Sequence, residues 1–136
     1  MPSITATPPG RAGSDPRPEL VARKGQFLLT GSRCDDCGYP MAVVSPRCPV
    51  CAGCSMAAAT FGPRGTVFSS TVLRIPVPER TPPFALAYVD VDDGPRILAH
   101  VDGAGEGPAP GSRVALSGWT ELGDPVVREL TPERAR

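Results

Sequence analysis

The chain has 136 residues and a formal net charge of zero, from 14 basic and 14 acidic side chains. This length supports one modest core with an appendage, and the neutral balance gives no general attraction to nucleic acid or to anionic membrane. No apolar run reaches the length of a membrane span, and residues 1–10 lack the basic stretch and apolar run of a secretory signal. We therefore expect a cytoplasmic protein with reduced cysteines.

Prolines are concentrated at the start of the chain, where residues 1–18 contain five of them and almost no large apolar side chain. This composition predicts a disordered, Pro-rich N-terminus. Residues 19–30 follow and are the only stretch with helical potential, although Gly25 interrupts them. A helix of that length is marginal in water. We interpret residues 19–30 as a short helix or a partner-binding segment that forms against another surface.

Two C-x-x-C pairs, separated by ten residues, provide the strongest signal in the sequence. The four cysteines are Cys34, Cys37, Cys48 and Cys51. Such spacing is typical of a structural zinc site, in which four thiolates complete a tetrahedral sphere and leave no open position for water or substrate. We therefore predict a rubredoxin-like zinc ribbon over residues 31–61, with one zinc ion that folds the chain and does no chemistry.

Other readings of the cysteines fit the sequence less well. A thioredoxin-type redox pair requires one C-x-x-C at the start of a helix, whereas here there are two pairs surrounded by proline and glycine. A disulfide framework requires an oxidising compartment. Cys54 is left over, three residues after Cys51, and we interpret it as a free thiol on a loop, with a substitute ligand as the alternative.

The second half of the chain is patterned as short strands bounded by glycine and proline. The predicted strands span residues 66–75, 84–92, 96–101, 113–121 and 125–130. Several have apolar side chains on both faces, which favours a closed or partly closed barrel over an open sheet with exposed edges. We predict a five-stranded OB-fold over residues 62–131 and a tail over 132–136. The connection at 102–112 is too rich in glycine and proline for the helix that many OB-folds carry there.

These motifs, taken in series, resemble the zinc-ribbon/OB-fold family of acyl-CoA-associated proteins, long described only as a domain of unknown function. The matching motifs are R-C-D-D-C-G at 33–38, S-P-R-C-P-V-C at 45–51, G-P-R-G-T-V-F-S-S-T-V at 62–72, P-P-F-A-L-A-Y-V-D-V-D-D-G-P-R at 82–96 and P-G-S-R-V at 110–114. The similarity covers approximately residues 27–130. It implies the same fold that the cysteines and strands predict.

The resemblance also implies a function. Members of this family are non-catalytic accessory subunits that bind and stabilise a thiolase-like acyl-CoA enzyme or a hot-dog-fold enoyl-CoA hydratase. In that reading the ribbon and the N-terminal segment contact the enzyme, and the barrel lies near the acyl-CoA route. An accessory subunit should show an exposed apolar patch, which we expect on the ribbon and on residues 20–29.

Two other functions are open to a chain of this kind. A nucleic-acid-binding module needs a cationic groove with stacking aromatic residues, but residues 64–130 contain six basic and nine acidic side chains. An independent enzyme would use Cys54 or the single histidine, His100, yet a lone strand histidine is more often a packed or surface residue than a base. If CoA is touched directly, its phosphates need cationic donors, and Arg74 and Arg80 are the candidates.

Overall fold

The computed structural model describes residues 4–5, 17–78, 80–103 and 106–130. These residues form strands and turns, and no helix occurs among them. The strands are β1 (Ile4–Thr5), β2 (Glu19–Arg23), β3 (Gln26–Cys34), β4 (Pro40–Met41), β5 (Met56–Phe61), β6 (Arg64–Leu73), β7 (Phe84–Val91), β8 (Arg96–Val101), β9 (Arg113–Thr120) and β10 (Pro125–Glu129). The prediction of a mainly β protein is confirmed. None of the described segments is a helix that could cross a membrane.

Strands β6 to β10 form a closed five-stranded barrel. Along its wall β6 pairs with β7, β7 with β8, β8 with β10 and β10 with β9, and β9 pairs back with β6. The β8–β10 pair is parallel and the others are antiparallel. This is the arrangement of an OB-fold, and it removes the sheet edges that an open sheet would leave. The predicted barrel is confirmed, with strand ends within two residues of those predicted.

The barrel core is built by the alternation of side chains along each strand. In β7, Ala87 and Val89 are buried while Tyr88 between them is exposed. Val89 lies opposite Val67 of β6 and Ile97 of β8, and all three are almost fully buried. The connection from β8 to β9 contains no helix in its described residues, 102–103 and 106–112, as its composition predicts.

The ribbon is a second small sheet centred on β3. Strand β2 and then β4 pair with β3, and β5 also pairs with it, all antiparallel. Gly31 allows the close approach of β4, because a Cβ atom there would lie 1.9 Å from the Met41 carbonyl oxygen. Because β2 is part of this sheet, the sheet begins at Glu19, twelve residues before the predicted start of the ribbon.

The predicted helix at 19–30 is wrong, because this segment forms the β2–β3 hairpin. Lys24 and Gly25 form its two-residue turn with φ angles of 51° and 78°, the left-handed geometry that joins antiparallel strands tightly. Gly25 thus acts as a turn residue and does not interrupt a helix. Leu20 lies opposite Leu29, and both are buried.

The ribbon and the barrel share one core. Leu20, Leu29 and Phe61 of the ribbon belong to the same buried apolar cluster as the barrel side chains, and Phe27 packs against it. Phe61 lies so close to Gly94 that a Cβ atom at residue 94 would be 2.9 Å from the Phe61 side chain. The expected exposed patch on residues 20–29 is therefore wrong for Leu20 and Leu29, because the barrel covers them.

The described residues near the N-terminus contact the barrel. Strand β1 pairs antiparallel with the end of β9, with Ile4 opposite Thr120 and Thr5 opposite Trp119. Arg17 donates a hydrogen bond to the Leu122 carbonyl and forms an ion pair with Asp124. The prediction of disorder over 1–18 is thus wrong for these residues. Residues 1–3 and 6–16, like the predicted tail at 132–136, lie outside the described residues.

Candidate metal centre

Two similar turns carry the four cysteines of the ribbon. In the first turn the Cys34 N–H donates to the Tyr39 carbonyl (3.0 Å) and the Gly38 N–H donates back to the Cys34 carbonyl (2.9 Å). In the second turn the Cys48 N–H donates to the Gly53 carbonyl and the Ala52 N–H to the Cys48 carbonyl, both at 2.9 Å. The two C-x-x-C pairs therefore lie on separate turns with the same backbone conformation. Each turn points the two sulfurs of its pair to one side.

The two turns bring the four sulfurs together. The Sγ atoms of Cys34, Cys37, Cys48 and Cys51 all lie within 4.8 Å of one another. The Cys34–Cys51 and Cys37–Cys48 sulfur pairs are each 3.6 Å apart. A tetrahedron of thiolates around zinc, with Zn–S bonds of about 2.3 Å, has S···S edges of about 3.8 Å. The donor set therefore fits one tetrahedral metal ion.

Backbone amides also prepare these sulfurs for a cation. The N–H groups of Asp36 and Cys37 point at the Cys34 Sγ, at 3.4 and 3.5 Å, and the Val50 N–H points at the Cys48 Sγ at 3.4 Å. The N–H groups of Cys51 and Val50 lower the pKa of Cys48 to about 7, against the opposing effect of burial. Four thiolates at these distances repel one another, so a divalent cation is the natural partner of the cluster.

Cys54 lies outside the metal centre. Its side chain is exposed, and the cluster of metal-binding side chains contains the other four cysteines without it. The alternative of Cys54 as a substitute ligand therefore has no geometric support. The four clustered cysteines are those of the two C-x-x-C pairs.

The two arginines predicted to contact CoA lie in the connection between β6 and β7, in different environments. Arg74 is exposed. Arg80 is mostly covered, with 16% of its side chain accessible, and its guanidinium donates to Asp124 at 2.8 Å. The same nitrogen lies 3.1 Å from the His100 Nε2. Arg80 is thus an internal ion-pair partner, whereas Arg74 is directed to solvent.

His100 is a packed residue at the end of the barrel. Its ring is buried beside Phe84, with ring centroids 5.9 Å apart, and its Nε2 lies 3.7 Å from an Asp124 oxygen. Burial and the charge of Arg80 lower the pKa of His100, and Asp124 acts in the opposite direction. Its Nδ1 is buried without a hydrogen-bond partner among the described residues.

Sequence reasoning missed Asp124 as the centre of this cluster. Its two carboxylate oxygens accept hydrogen bonds from Arg17 and Arg80, and its own N–H donates to the Thr120 hydroxyl at 3.1 Å. The Gly123-Asp124 pair indicates a turn and nothing more. Its ion-pair partners lie 107 and 44 residues away along the chain, so no local pattern connects them.

The geometry has counterparts among known proteins. Residues 59–118 match the family model described as "ChsH2, C-terminal OB-fold domain". A "DUF35 domain-containing scaffold protein" of Pyrococcus furiosus is 30% identical over 78 residues, which are 56% of this chain. The aligned region spans 57% of that relative's length.

A solved structure shows a similar fold. The chain superposes on the structure named "Ltp2-ChsH2(DUF35) aldolase" with a TM-score of 0.61 and 27% sequence identity. The match covers 74% of this chain and 84% of the other. It extends beyond the 60 residues of the family-model match. The resemblance found from the motifs is therefore confirmed.

Proposed function

We propose that this chain, whose residues 59–118 match the ChsH2 C-terminal OB-fold model, is a non-catalytic accessory subunit of a thiolase-like acyl-CoA enzyme. In this role it binds and stabilises the enzyme, which carries out C–C bond cleavage, condensation or acyl transfer. The barrel lies near the route of the CoA substrate. A hot-dog-fold enoyl-CoA hydratase is the alternative partner that the family resemblance leaves open.

One observation carries this proposal. The chain shares its fold with a structure whose name joins a DUF35 chain to Ltp2 in an aldolase. The match covers most of that chain, 84% of its length. The name of the Pyrococcus relative, a scaffold protein, points in the same direction.

We further propose that the metal of the ribbon is one structural zinc ion. Four sulfur donors at tetrahedral spacing support this choice, since thiolate sets of this kind are typical of structural zinc. The four ligands complete the coordination sphere and leave no position for a substrate. Zinc-bound and free thiols both persist in a reducing compartment, which supports the cytoplasm as the site of action.

The other reactive side chains are already engaged within the fold. His100 is buried between Phe84 and the Arg80–Asp124 ion pair. The two oxygens of Asp124 are occupied by Arg17 and Arg80. A general base must reach the proton that it removes, and this imidazole faces its own protein. This geometry supports a structural role for the cluster and leaves the chemistry to the partner.

We keep Arg74 and Arg80 as the proposed CoA contacts, with Arg74 as the stronger of the two. Arg74 is exposed and can meet a phosphate, whereas Arg80 would have to share its guanidinium with Asp124. Replacing Arg74 by Ala should raise the KM of the complex for its CoA substrate and leave kcat unchanged. An unchanged KM in the Arg74→Ala complex contradicts the contact.

The function is tested by affinity capture of the tagged full chain from its native lysate, followed by identification of the co-eluting proteins by mass. We expect a thiolase-like enzyme in stoichiometric amount. The enzyme is then purified with and without this chain, and its thermal stability and activity are compared. We expect the complex to be more stable and more active than the enzyme alone.

Each other result of this capture has a definite meaning. Stoichiometric capture of a hydratase would identify the alternative partner. Nucleic acid in the eluate would favour a binding module, and the absence of any acyl-CoA enzyme would contradict the accessory role. Activity of the isolated chain on an acyl-CoA would contradict its non-catalytic status.

A further inference from the structure

The outer wall of the barrel carries a row of three large apolar side chains, one on each of three neighbouring strands. The residues are Phe68 of β6, Tyr88 of β7 and Leu98 of β8, and their exposed fractions are 53%, 48% and 46%. Tyr88 and Leu98 lie directly opposite each other, and Ser69, next to Phe68, lies opposite Tyr88. We call these three residues the outer row.

A β-bulge lies at Phe68, within the outer row. The register of β6 against β7 shifts between Val67 and Ser69, so that Phe68 is the extra residue. Val67 points into the core and is almost fully buried, while Phe68 is exposed. Bulges re-aim side chains at functional edges of sheets. Without this shift, regular alternation would place Ser69 on the inner side of the wall.

Contacts within the chain support the outer row. The guanidinium carbon of Arg96 lies 3.6 Å from the centroid of the Phe68 ring, and Arg96 is itself fixed by two hydrogen bonds to Asp90. Tyr88 and Leu98 stand on paired strands of a closed barrel. Side chains that are already ordered lose little conformational entropy on binding. Aromatic residues with a neighbouring arginine are also the usual centres of protein interfaces.

The charges around the outer row favour a protein over a nucleic acid or a free phosphate. Arg96, the cation at the row, is neutralised by Asp90. Arg113 is neutralised in the same way by Asp92. Residues 64–130 have a net charge of −3, whereas phosphate backbones require excess positive charge. The complementary surface is therefore apolar and nearly uncharged, as the centre of a protein–protein interface is.

The position of the outer row agrees with this reading. β7 and β8 are the second and third strands of the barrel, and this face is where OB-folds commonly bind their ligands. The alternative surface, the β2–β3 hairpin, has its large side chains Leu20 and Leu29 already buried against the barrel. The hairpin therefore has less apolar surface to offer a partner than its sequence indicates.

We propose that the thiolase-like enzyme docks on the outer face of β6, β7 and β8, with Phe68, Tyr88 and Leu98 at the centre of the contact. This inference rests on the proposed function and names the surface through which that function is exerted. A stable interface buries about 800 Å² on each partner, so the surrounding residues of the same face also take part.

The test compares the full chain with two triple variants. The face variant carries Phe68→Thr, Tyr88→Thr and Leu98→Thr, because threonine is polar and suits a strand. The control variant carries Tyr39→Thr, Val44→Thr and Val50→Thr in the ribbon, where the exposed fractions are 42%, 77% and 63%. It tests the ribbon as the competing docking surface, which the family resemblance implies. The binding of each to the purified, captured enzyme is measured by calorimetry. Zinc content and the fluorescence of Trp119 confirm that each variant is folded.

We expect the face variant to bind at least about 100-fold more weakly, because several hot-spot side chains are lost together. The control variant should bind within about threefold of the original chain. If the face variant does not fold, the single variants Tyr88→Thr and Leu98→Thr serve instead, with Tyr39→Thr as their control. We expect each of the single variants Tyr88→Thr and Leu98→Thr to bind the enzyme about tenfold more weakly, or weaker still.

The other outcomes separate the surface from the function. Unchanged binding of the face variant, or weaker binding of the control variant alone, overturns the proposed surface and leaves the accessory role intact. If the original chain captures no acyl-CoA enzyme, the accessory role fails and the inference fails with it. If sedimentation shows that the chain forms a dimer that only the face variant disrupts, the occupant is a second copy and the inference is wrong.

Discussion

Phe27 of the ribbon hairpin packs edge-on against Trp119 of the barrel, with ring centroids 5.4 Å apart and ring planes at 89°. This geometry is favourable for an aromatic pair, because the positive edge of one ring faces the negative face of the other. Trp119 is also the only tryptophan of the chain. Its fluorescence therefore reports on the contact between the ribbon and the barrel.

Replacing Phe27 by Ala should destabilise the whole protein. The change removes a partly buried ring from the shared core, so we expect a loss of about 2 kcal/mol in the free energy of unfolding. Phe27→Leu keeps apolar volume but removes the edge-to-face contact, so it should lower the free energy of unfolding by about 1 kcal/mol. Denaturant unfolding followed by Trp119 fluorescence measures both. A destabilised ribbon with an unchanged Trp119 transition would contradict a shared core.

The two cysteine turns differ at one equivalent position, which provides a second prediction. Gly38 has a φ angle of 82° and Ala52 has one of 63°, and this left-handed region costs a residue with a Cβ atom about 1–2 kcal/mol. Ala52→Gly should therefore stabilise the metal-loaded protein by up to about 1 kcal/mol. The gain is smaller than the full strain, because glycine loses more backbone entropy on folding than alanine does.

Gly38→Ala is the reciprocal control for Ala52→Gly. A Cβ atom at residue 38 meets nothing within 4 Å, so the substitution isolates the backbone term without a steric clash. We expect Gly38→Ala to lower the free energy of unfolding by about 1–2 kcal/mol. The measurement is the midpoint of thermal unfolding, which should decrease. Equal midpoints for the original chain and both variants would show that the turns are not held in this conformation.

Metal removal should expose the ribbon to proteolysis before the barrel. Structural zinc contributes about 10–16 kcal/mol in small thiolate sites, so a chelator should open the loops around the cysteines. Arg47 lies there and is exposed, and trypsin should cut after it much faster when the metal is gone. Arg113 should stay protected for longer, because it lies in a barrel strand and is paired with Asp92.

Cysteine variants make the same test without a chelator. Cys48→Ser should lose the metal and behave like the chelated protein, because Cys48 is a buried member of the sulfur cluster. Cys54→Ser should keep one zinc per chain, measured by elemental analysis, since Cys54 lies outside the cluster. Loss of zinc in Cys54→Ser would assign it a role as ligand.

The buried histidine predicts the direction of a pH effect. Burial and Arg80 lower the pKa of His100 below its ordinary value of about 6.5, so the unfolded chain binds its proton more readily than the folded one. The contribution of His100 to stability is therefore fully present above pH 6.5 and is lost as the pH falls below that value. The thermal midpoint should decrease between pH 7.5 and 5.5.

His100→Gln is the matched comparison for this pH effect. It removes the titrating group and keeps a polar side chain beside Arg80 and Asp124. Protonation of the cysteines affects both proteins equally, so the difference between their midpoints isolates His100. If the original chain and His100→Gln decrease in parallel over this pH range, His100 does not titrate as the burial indicates.

Local patterns in the sequence predict much of this structure. The C-x-x-C spacing predicts which four cysteines cluster, because each pair forms one turn whose geometry depends only on nearby residues. The alternation around Val89 and Val91 locates β7 for the same reason. The helix predicted for residues 19–30 is wrong because Lys24 occupies a left-handed conformation that a lysine in the sequence does not indicate. A tight turn there converts a helix-like run into two strands.

Contacts between distant residues could not be read from the sequence. The β6–β9 pairing that closes the barrel joins Gly65 to Val114, and only the assembled fold brings them together. Asp124 gathers Arg17 and Arg80 from remote positions for the same reason. The register shift between Val67 and Ser69 turns Ser69 to the same side of the wall as Tyr88, which alternation alone would not reveal.

The joint between the ribbon and the barrel has a consequence for assembly. Arg33 of the ribbon strand β3 donates to the Asp93 carbonyl of the barrel, so the joint is held by a polar contact as well as by the shared core. The ribbon and the barrel thus pack against each other through one core, and this packing sets the distance between the cysteine turns and the outer wall of the barrel. A protein that contacts both the cysteine turns and the outer wall must match that spacing. The packing of the two parts therefore favours one partner geometry over others.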